Sequence, residues 1–170
     1  SVTQTTAADG SHHVALQGEA ILQAADIAVP RDPSSAAFPM VAALLTPGSD
    51  ITLAGIGMNP LRTGLITTLQ EMGGDITLSH ARVEGGEAVA DIRVKHSRLH
   101  GIDVPADRAA SMIDEYPILA IAATQADGTT RMQGVAELRV KETDRIAVVA
   151  DGIAAAGGTV HYDDDSMSIT

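Results

Sequence analysis

The sequence holds 170 residues, 45% of them hydrophobic, and carries a net charge of −11 at pH 7. So much apolar material excludes a disordered chain, and the negative charge argues against nucleic acid and anionic membrane as partners, because like charges repel. Cysteine is absent, which excludes disulfides and thiol chemistry and fits a reducing compartment. Aromatic residues make up only 2%, so the core has to be built from Ala, Val, Ile, Leu and Met.

No apolar run approaches the roughly 20 residues that span a bilayer. The opening Ser1-Val2-Thr3-Gln4 is polar and lacks a basic stretch, so no signal peptide is expected. In residues 1–28 only a hairpin is predicted, Val2 to Thr6 against His13 to Leu16, joined near Asp9-Gly10. Two readings of this segment are open: the tail of a preceding lobe, or an N-terminal strand extension.

From Ile27 onward the chain repeats a plan. Ile27-Ala28-Val29-Pro30 and Ile102-Asp103-Val104-Pro105 both read as strand ends, and both lead through an aromatic-Pro pair, Phe38-Pro39 or Tyr116-Pro117, into an Ala-rich helix. Each helix meets a Gly turn, Pro47-Gly48 or Asp127-Gly128, and then a short strand, Ile51 to Leu53 or Thr129 to Met132. A second helix follows in each. Leu61, Leu65, Ile66 and Leu69 share one face, as do Ile146, Val149, Ala150 and Ile153. The pairs Gly73-Gly74 and Gly157-Gly158 supply the left-handed stops. A hairpin closes each repeat, from Asp75 to Lys95 around Glu84-Gly85-Gly86-Glu87 and from Thr159 to Thr170 around Asp163 to Asp165.

The expected fold is therefore α/β (α+β), with repeated βαβαββ units over residues 29–101 and 102–170 and helices packed on mixed sheets. Each unit is too short for a comfortable core of its own, so the two should support each other.

The strongest chemical signal is Leu138-Arg139-Val140-Lys141-Glu142-Thr143-Asp144-Arg145, placed between a predicted strand and the second helix of the later unit. Five of these eight residues are charged, just before an almost uncharged helix. Free amide donors at a helix start favour an anion. Lys141 and Arg145 beside them make sense if a phosphate or carboxylate binds there. The other open reading is a solvated face in which Glu142 and Asp144 neutralise the two cations. A second signal is Asp114 in Ser111-Met112-Ile113-Asp114-Glu115-Tyr116-Pro117, readable as an N-cap or as a functional acid. Turn and cap chemistry accounts for Asp32, Ser34, Asn59 and Pro60, and Arg62 lies near a helix start as Arg145 does. His96 and His100 follow a strand and precede Gly101, a poor arrangement for a metal pair, so no metal site is expected.

Pro30-Arg31-Asp32-Pro33-Ser34-Ser35-Ala36, Gly57-Met58-Asn59-Pro60-Leu61-Arg62-Thr63-Gly64, Ser111 to Pro117 and Leu138 to Arg145 together resemble the 3-phosphoshikimate 1-carboxyvinyltransferases. The flavour is that of their bacterial second class, which includes glyphosate-insensitive members. The resemblance implies two lobes of three βαβαββ units each, with the site in the cleft between them. Residues 1–28 would then close one lobe, and the remainder would supply two units of the other.

It also implies roles. Asp114 matches the acid that accepts the proton of the shikimate 5-hydroxyl, Lys141 a ligand of the shikimate 3-phosphate, Glu142 a second acid acting at the enolpyruvyl methylene carbon, and Arg145 a ligand of phosphoenolpyruvate. No cofactor is implied, the reaction is cytoplasmic, and the partners are the two small substrates and a missing lobe of the same enzyme. The family's Lys-Ser pair, its Gly-rich loop, its Ser-x-Gln segment and its Asp-His-Arg element have no counterpart here, so this stretch alone is expected to be inactive. UDP-N-acetylglucosamine carboxyvinyltransferase, which shares the repeat fold, and a noncatalytic anion-binding domain are the competing expectations.

Overall fold

The computed structural model describes residues 2–19, 21 and 23–170. The chain opens with β1 (Val2–Thr6) and β2 (His12–Leu16), an antiparallel hairpin whose register pairs Val2 with Leu16 and Thr6 with His12. Both of its faces are exposed.

Two sheets follow, built on one plan. The first contains β3 (Asp50–Gly57), β4 (Asp75–Glu84) and β5 (Glu87–Lys95), with β5 in the middle and both pairings antiparallel. Arg31 adds one parallel bridge to Ile56 on the free edge of β3. The second contains β6 (Asp103–Val104), β7 (Thr130–Gln133), β8 (Val160–Tyr162) and β9 (Ser166–Ile169), in the order β6-β7-β9-β8. Here β6 is parallel to β7 and the other pairings are antiparallel. With Arg31 standing where β6 stands, the two sheets have the same topology.

The helices are α1 (Pro33–Leu45), α2 (Gly64–Glu71), α3 (Tyr116–Ala123) and α4 (Arg145–Ala155). Asp32 caps α1, its carboxylate accepting from the amides of Ser34 and Ser35. Gly73 and Gly157, both at positive φ, end α2 and α4, and the amides of Gly74 and Gly158 reach back to Leu69 O and Ile153 O. α1 packs on β3 and β5 and, across the repeat boundary, on α3, which in turn meets α4. One core results. It runs from Ala37, Met40 and Leu44 through Tyr116, Leu119 and Ala120 to Ile146 and Ile169. Small residues allow this closeness: a methyl group on Gly101 would collide with the Thr129 backbone where the chain passes into the second sheet.

Three local expectations change. Leu61 does not share the face of α2; it lies in a 3-10 turn, Pro60–Arg62, and is exposed. Asn59 accepts from the Leu61 amide and starts this turn, Thr63 ends it, and the α-helix begins only at Gly64. Ile27 to Pro30 forms no strand, and Ile27 and Val29 are exposed. Pro30 has no N–H to give to a ladder, and β3 is bulged between Leu53 and Ile56, which leaves a single bridge at Arg31. Finally, the charged string does not follow a strand directly. A 3-10 turn, Ala136–Val140, intervenes, with Leu138 buried as its anchor.

Tyr116 is the largest fully buried side chain, and its hydroxyl has no partner among the described residues. Burial pushes its pKa up to about 12. A buried hydroxyl without a partner costs stability, so Tyr116→Phe should stabilise the chain by about 1 kcal/mol, raising the thermal midpoint by about 2–4 °C. Tyr116→Ala should instead cost about 3–5 kcal/mol by leaving a cavity. Thermal unfolding of the three proteins checks both; a lowered midpoint for the Phe variant would show that the hydroxyl is bonded.

Candidate active site

The four side chains singled out by the sequence meet. Asp114 lies in a 3-10 turn, Ile113–Glu115, just before α3. Its Oδ1 accepts from Arg145 Nη1 at 3.0 Å and lies 3.9 Å from Lys141 Nζ. Arg145, the first residue of α4, turns its other nitrogens to Glu142, Nε and Nη2 donating at 2.9 and 2.8 Å in a two-pronged grip. Lys141 is also held by Glu137 at 3.0 Å. The cations are the more covered partners: the side chains of Lys141 and Arg145 are 24% and 23% exposed, against 55% for Asp114 and 66% for Glu142. Cations and acids together form one part-exposed, charged mouth between the turn before α3 and the start of α4.

The structure separates the alternative readings of these residues. Asp114 caps nothing, since α3 has no side-chain cap and the carboxylate points to the cations. The amide end of α4 is not free either. Asp144 is its N-cap, accepting from the Ala147 amide at 3.1 Å, and it is itself held by Arg139 Nη1 at 2.6 Å. An anion at this mouth would therefore be gripped by the side chains of Lys141 and Arg145 more than by helix amides.

Arg139 also ties the segment down from behind. Its guanidinium donates to the carbonyls of Asp163 and Asp164 in the β8–β9 turn, and it lies 5.8 Å from the Tyr162 ring centre. Asp165 in the same turn accepts from the Ala136 amide at 2.9 Å. The string from Ala136 to Arg145 is thus fastened at both ends, with Lys141 and Glu142 between.

Electrostatics follow the contacts. The bonds from Arg145 hold the Glu142 carboxyl below the usual glutamate range, and the bonds to Glu142 and Asp114 raise Arg145 above its ordinary value. The Ala147 amide, and then Arg139, lower Asp144 in the same way.

On the other side of Asp114 a small cleft of about 50 Å³ is lined by Ser34, Arg62, Ser111, Asp114 and Glu115 among others, so the earlier repeat reaches the same place. A wider groove, about 600 Å³, lies elsewhere, among Phe38, Ile118, Ile121, Val148 and Ile153. No charged residue lines it, so it does not suit a phosphorylated acid.

The family model described as EPSP synthase (3-phosphoshikimate 1-carboxyvinyltransferase) matches residues 4–170. The chain belongs to the EPSP synthase family. It is 60% identical over 171 residues to a 3-phosphoshikimate 1-carboxyvinyltransferase of Methylorubrum extorquens, a match covering 99% of this chain and 38% of that protein. To the protein of the same name from Parvibaculum lavamentivorans it is 64% identical over 156 residues, covering 92% and 35%. The EPSP synthase structure from Acinetobacter baumannii superposes with a TM-score of 0.89 at 45% identity, covering 98% of this chain and 37% of that one. The repeated units of mixed sheets and helices are thus the enolpyruvyl transferase fold. The chain spans little more than a third of the length of these relatives.

Turn and cap chemistry accounted for Ser34 in the sequence, and Arg62 was matched there to the place of Arg145, but neither was assigned to the site; Glu115 and Glu137 carried no signal. His96 Nδ1 lies 2.8 Å from Leu44 O, and the described residues include no group of three His, Asp or Glu placed to hold a metal.

Because its folded pKa is depressed, Glu142 contributes its ion pair above the ordinary glutamate pKa, and the contribution is lost as pH falls through the lowered value. Carboxyl-carbon NMR titration of this chain should find Glu142 below the free value of about 4.3. In Arg145→Gln it should return to that value. An unchanged titration in the variant would remove Arg145 as the cause.

Proposed function

We propose that this chain supplies one wall of the active site of a 3-phosphoshikimate 1-carboxyvinyltransferase, which moves the enolpyruvyl group of phosphoenolpyruvate to the 5-hydroxyl of shikimate 3-phosphate. The observation that carries the reading is the shared Arg145: one guanidinium holds Asp114 and Glu142 together, with Lys141 3.9 Å from Asp114.

In this reading the carboxylates stand where substrate anions would otherwise sit. Phosphoenolpyruvate offers a carboxylate and a phosphate to Arg145, while Lys141 takes the 3-phosphate of the second substrate. Substrate anions displace the internal acids from the cations, leaving Asp114 with a free oxygen beside the 5-hydroxyl. Asp114 accepts the hydroxyl proton as the oxygen attacks C2 of phosphoenolpyruvate, and Glu142, which takes up a proton from solvent once Arg145 has left it for the substrate, delivers that proton to C3. The tetrahedral adduct then loses phosphate while C3 gives a proton back, which restores the carbon–carbon double bond. Each acid works as a positioned proton carrier, and the two cations offset the charge gathered at the mouth. An acidic protein can bind anionic substrates this way because the local field of two covered cations outweighs a distant net charge.

The domain division belongs to the same proposal. Residues 1–28 close a preceding lobe, and 29–101 and 102–170 are successive units of the lobe that carries these side chains. The remaining ligands then come from the other lobe, and the reaction takes place in the cytoplasm.

The test is a chimera in which this chain replaces the matching segment of the Methylorubrum extorquens relative. It should release phosphate only with both substrates present, whereas the 170-residue chain by itself should release none. In the chimera Asp114→Asn should lower kcat by roughly 10²- to 10⁴-fold. Lys141→Met and Arg145→Gln should each lower kcat/KM by about 10- to 100-fold, the loss of one charge-assisted contact. Full turnover in Asp114→Asn would remove Asp114 from the mechanism, and a chimera that binds both anions without turnover would leave a noncatalytic anion site instead.

A further inference from the structure

We propose that Ser34 and Glu115 form a latch between the two units that positions Asp114, making both of them positioning residues for the reaction; this rests on the assignment of Asp114 as the proton acceptor.

Glu115 is a charged residue with only 7% of its surface exposed, and it does not cap the helix it precedes. Its Oε1 instead accepts a hydrogen bond from Ser34 Oγ, 81 residues away in the first turn of α1. The direction of that bond is fixed by a third group. Arg62 Nη2 donates to Ser34 Oγ at 2.7 Å, and a guanidinium can only donate. The serine oxygen must therefore accept from Arg62, which leaves its single proton for Glu115. Arg62 is held in turn by Asp32 at 3.0 Å, the same carboxylate that caps α1. The chain of bonds runs from the α1 cap through Arg62 and Ser34 to Glu115 without a missing or surplus proton.

What this fastens is a turn of three residues. Burial of Met112 and Tyr116 anchors Ile113 to Glu115 at its two ends, but polar contacts within it are few: the Glu115 amide bonds Met112 O at 3.0 Å, and no side chain caps the start of α3. Glu115 points into the first unit and Asp114, next to it, points to Arg145 in the second. The turn is thus pinned on two sides, and the side chain with catalytic duty sits on the exposed one. When substrate anions take Arg145, Asp114 loses its own tether. Among the polar contacts of the turn, the Ser34–Glu115 bond then remains to hold the Asp114 carboxylate at the distance a proton transfer needs. A small misplacement of a catalytic group lowers the rate steeply while leaving binding by the cations intact.

The chimera described above is the protein to use, with Asp114→Asn measured beside Ser34→Ala, Ser34→Thr, Glu115→Ala and Glu115→Gln. Ser34→Ala and Glu115→Ala should lower kcat by about 10- to 100-fold, with KM for both substrates changed by about twofold or less. Ser34→Thr keeps the donor and Glu115→Gln keeps the acceptor oxygen, so both should recover most of kcat. If Asp114→Asn is inactive while Ser34→Ala and Glu115→Ala keep kcat within about twofold, the latch is overturned and the assignment of Asp114 stands. A raised KM at constant kcat would overturn it too, since that marks a ligand contact. An active Asp114→Asn removes the underlying assignment, and the latch with it. Amide exchange on the isolated chain gives a readout independent of turnover: Ser34→Ala should speed exchange at Glu115 while leaving α1 and α4 protected. Unchanged protection of the Glu115 amide overturns the proposal even if the chimera does not turn over.

Discussion

The two βαβαββ units share one core because neither can fill its own. With almost no aromatic residues to supply bulk, the helices are Ala-rich and come close, and α1 of the first unit buries its small side chains beside α3 of the second. Burial of this surface is the non-directional force that holds the units together. It has a directional consequence: it brings the start of α1, the 3-10 turn before α3 and the start of α4 to one end of the molecule. The contacts of Asp114 with Arg145 and Lys141, and of Ser34 with Glu115, depend on that meeting of helix starts.

The site is a balance of opposite charges more than a preformed basic pocket. Lys141 and Arg145 are largely covered and answered by Glu137, Glu142 and Asp114. Such exposed or half-exposed pairs contribute little to stability, so an anionic ligand can replace them at small cost. The same arrangement keeps the acids close to the place where protons would move. Behind it, Arg139 and the Asp163–Asp165 turn hold the Ala136–Arg145 segment without touching the mouth. Fastening and chemistry are divided between neighbouring residues of one string.

Repetition shows what is shared and what is special. Both units use the strand order in which the second and fourth strands are neighbours, and both close α2 or α4 with a pair of glycines. They differ in the charged residues at the helix starts. Asp114 stands before Pro117 in the second unit, whereas Ala36 and Ala37 precede Pro39 in the first, whose helix is capped earlier by Asp32. Arg62 and Arg145 occupy matching places, yet Arg62 secures a serine and a cap while Arg145 holds two acids at an open mouth.

Periodicity and turn chemistry alone determined most of the elements: the closing hairpins, the double-glycine stops, the Asp32 cap and the apolar face of α4 all depend on residues a few positions apart. Specific strings likewise determined the family and the four charged residues. What only the tertiary structure decided is which of several local options each polar group takes. Asp114 could cap α3 or face the cations, and it is the packing of α4 against α3 that brings Arg145 to it. The amide end of α4 could bind a ligand or a side chain, and Asp144 takes it. Glu115 and Ser34 carry no pattern linking them across 81 residues, because a hydrogen bond between units is set by how two helices dock and not by spacing along the chain.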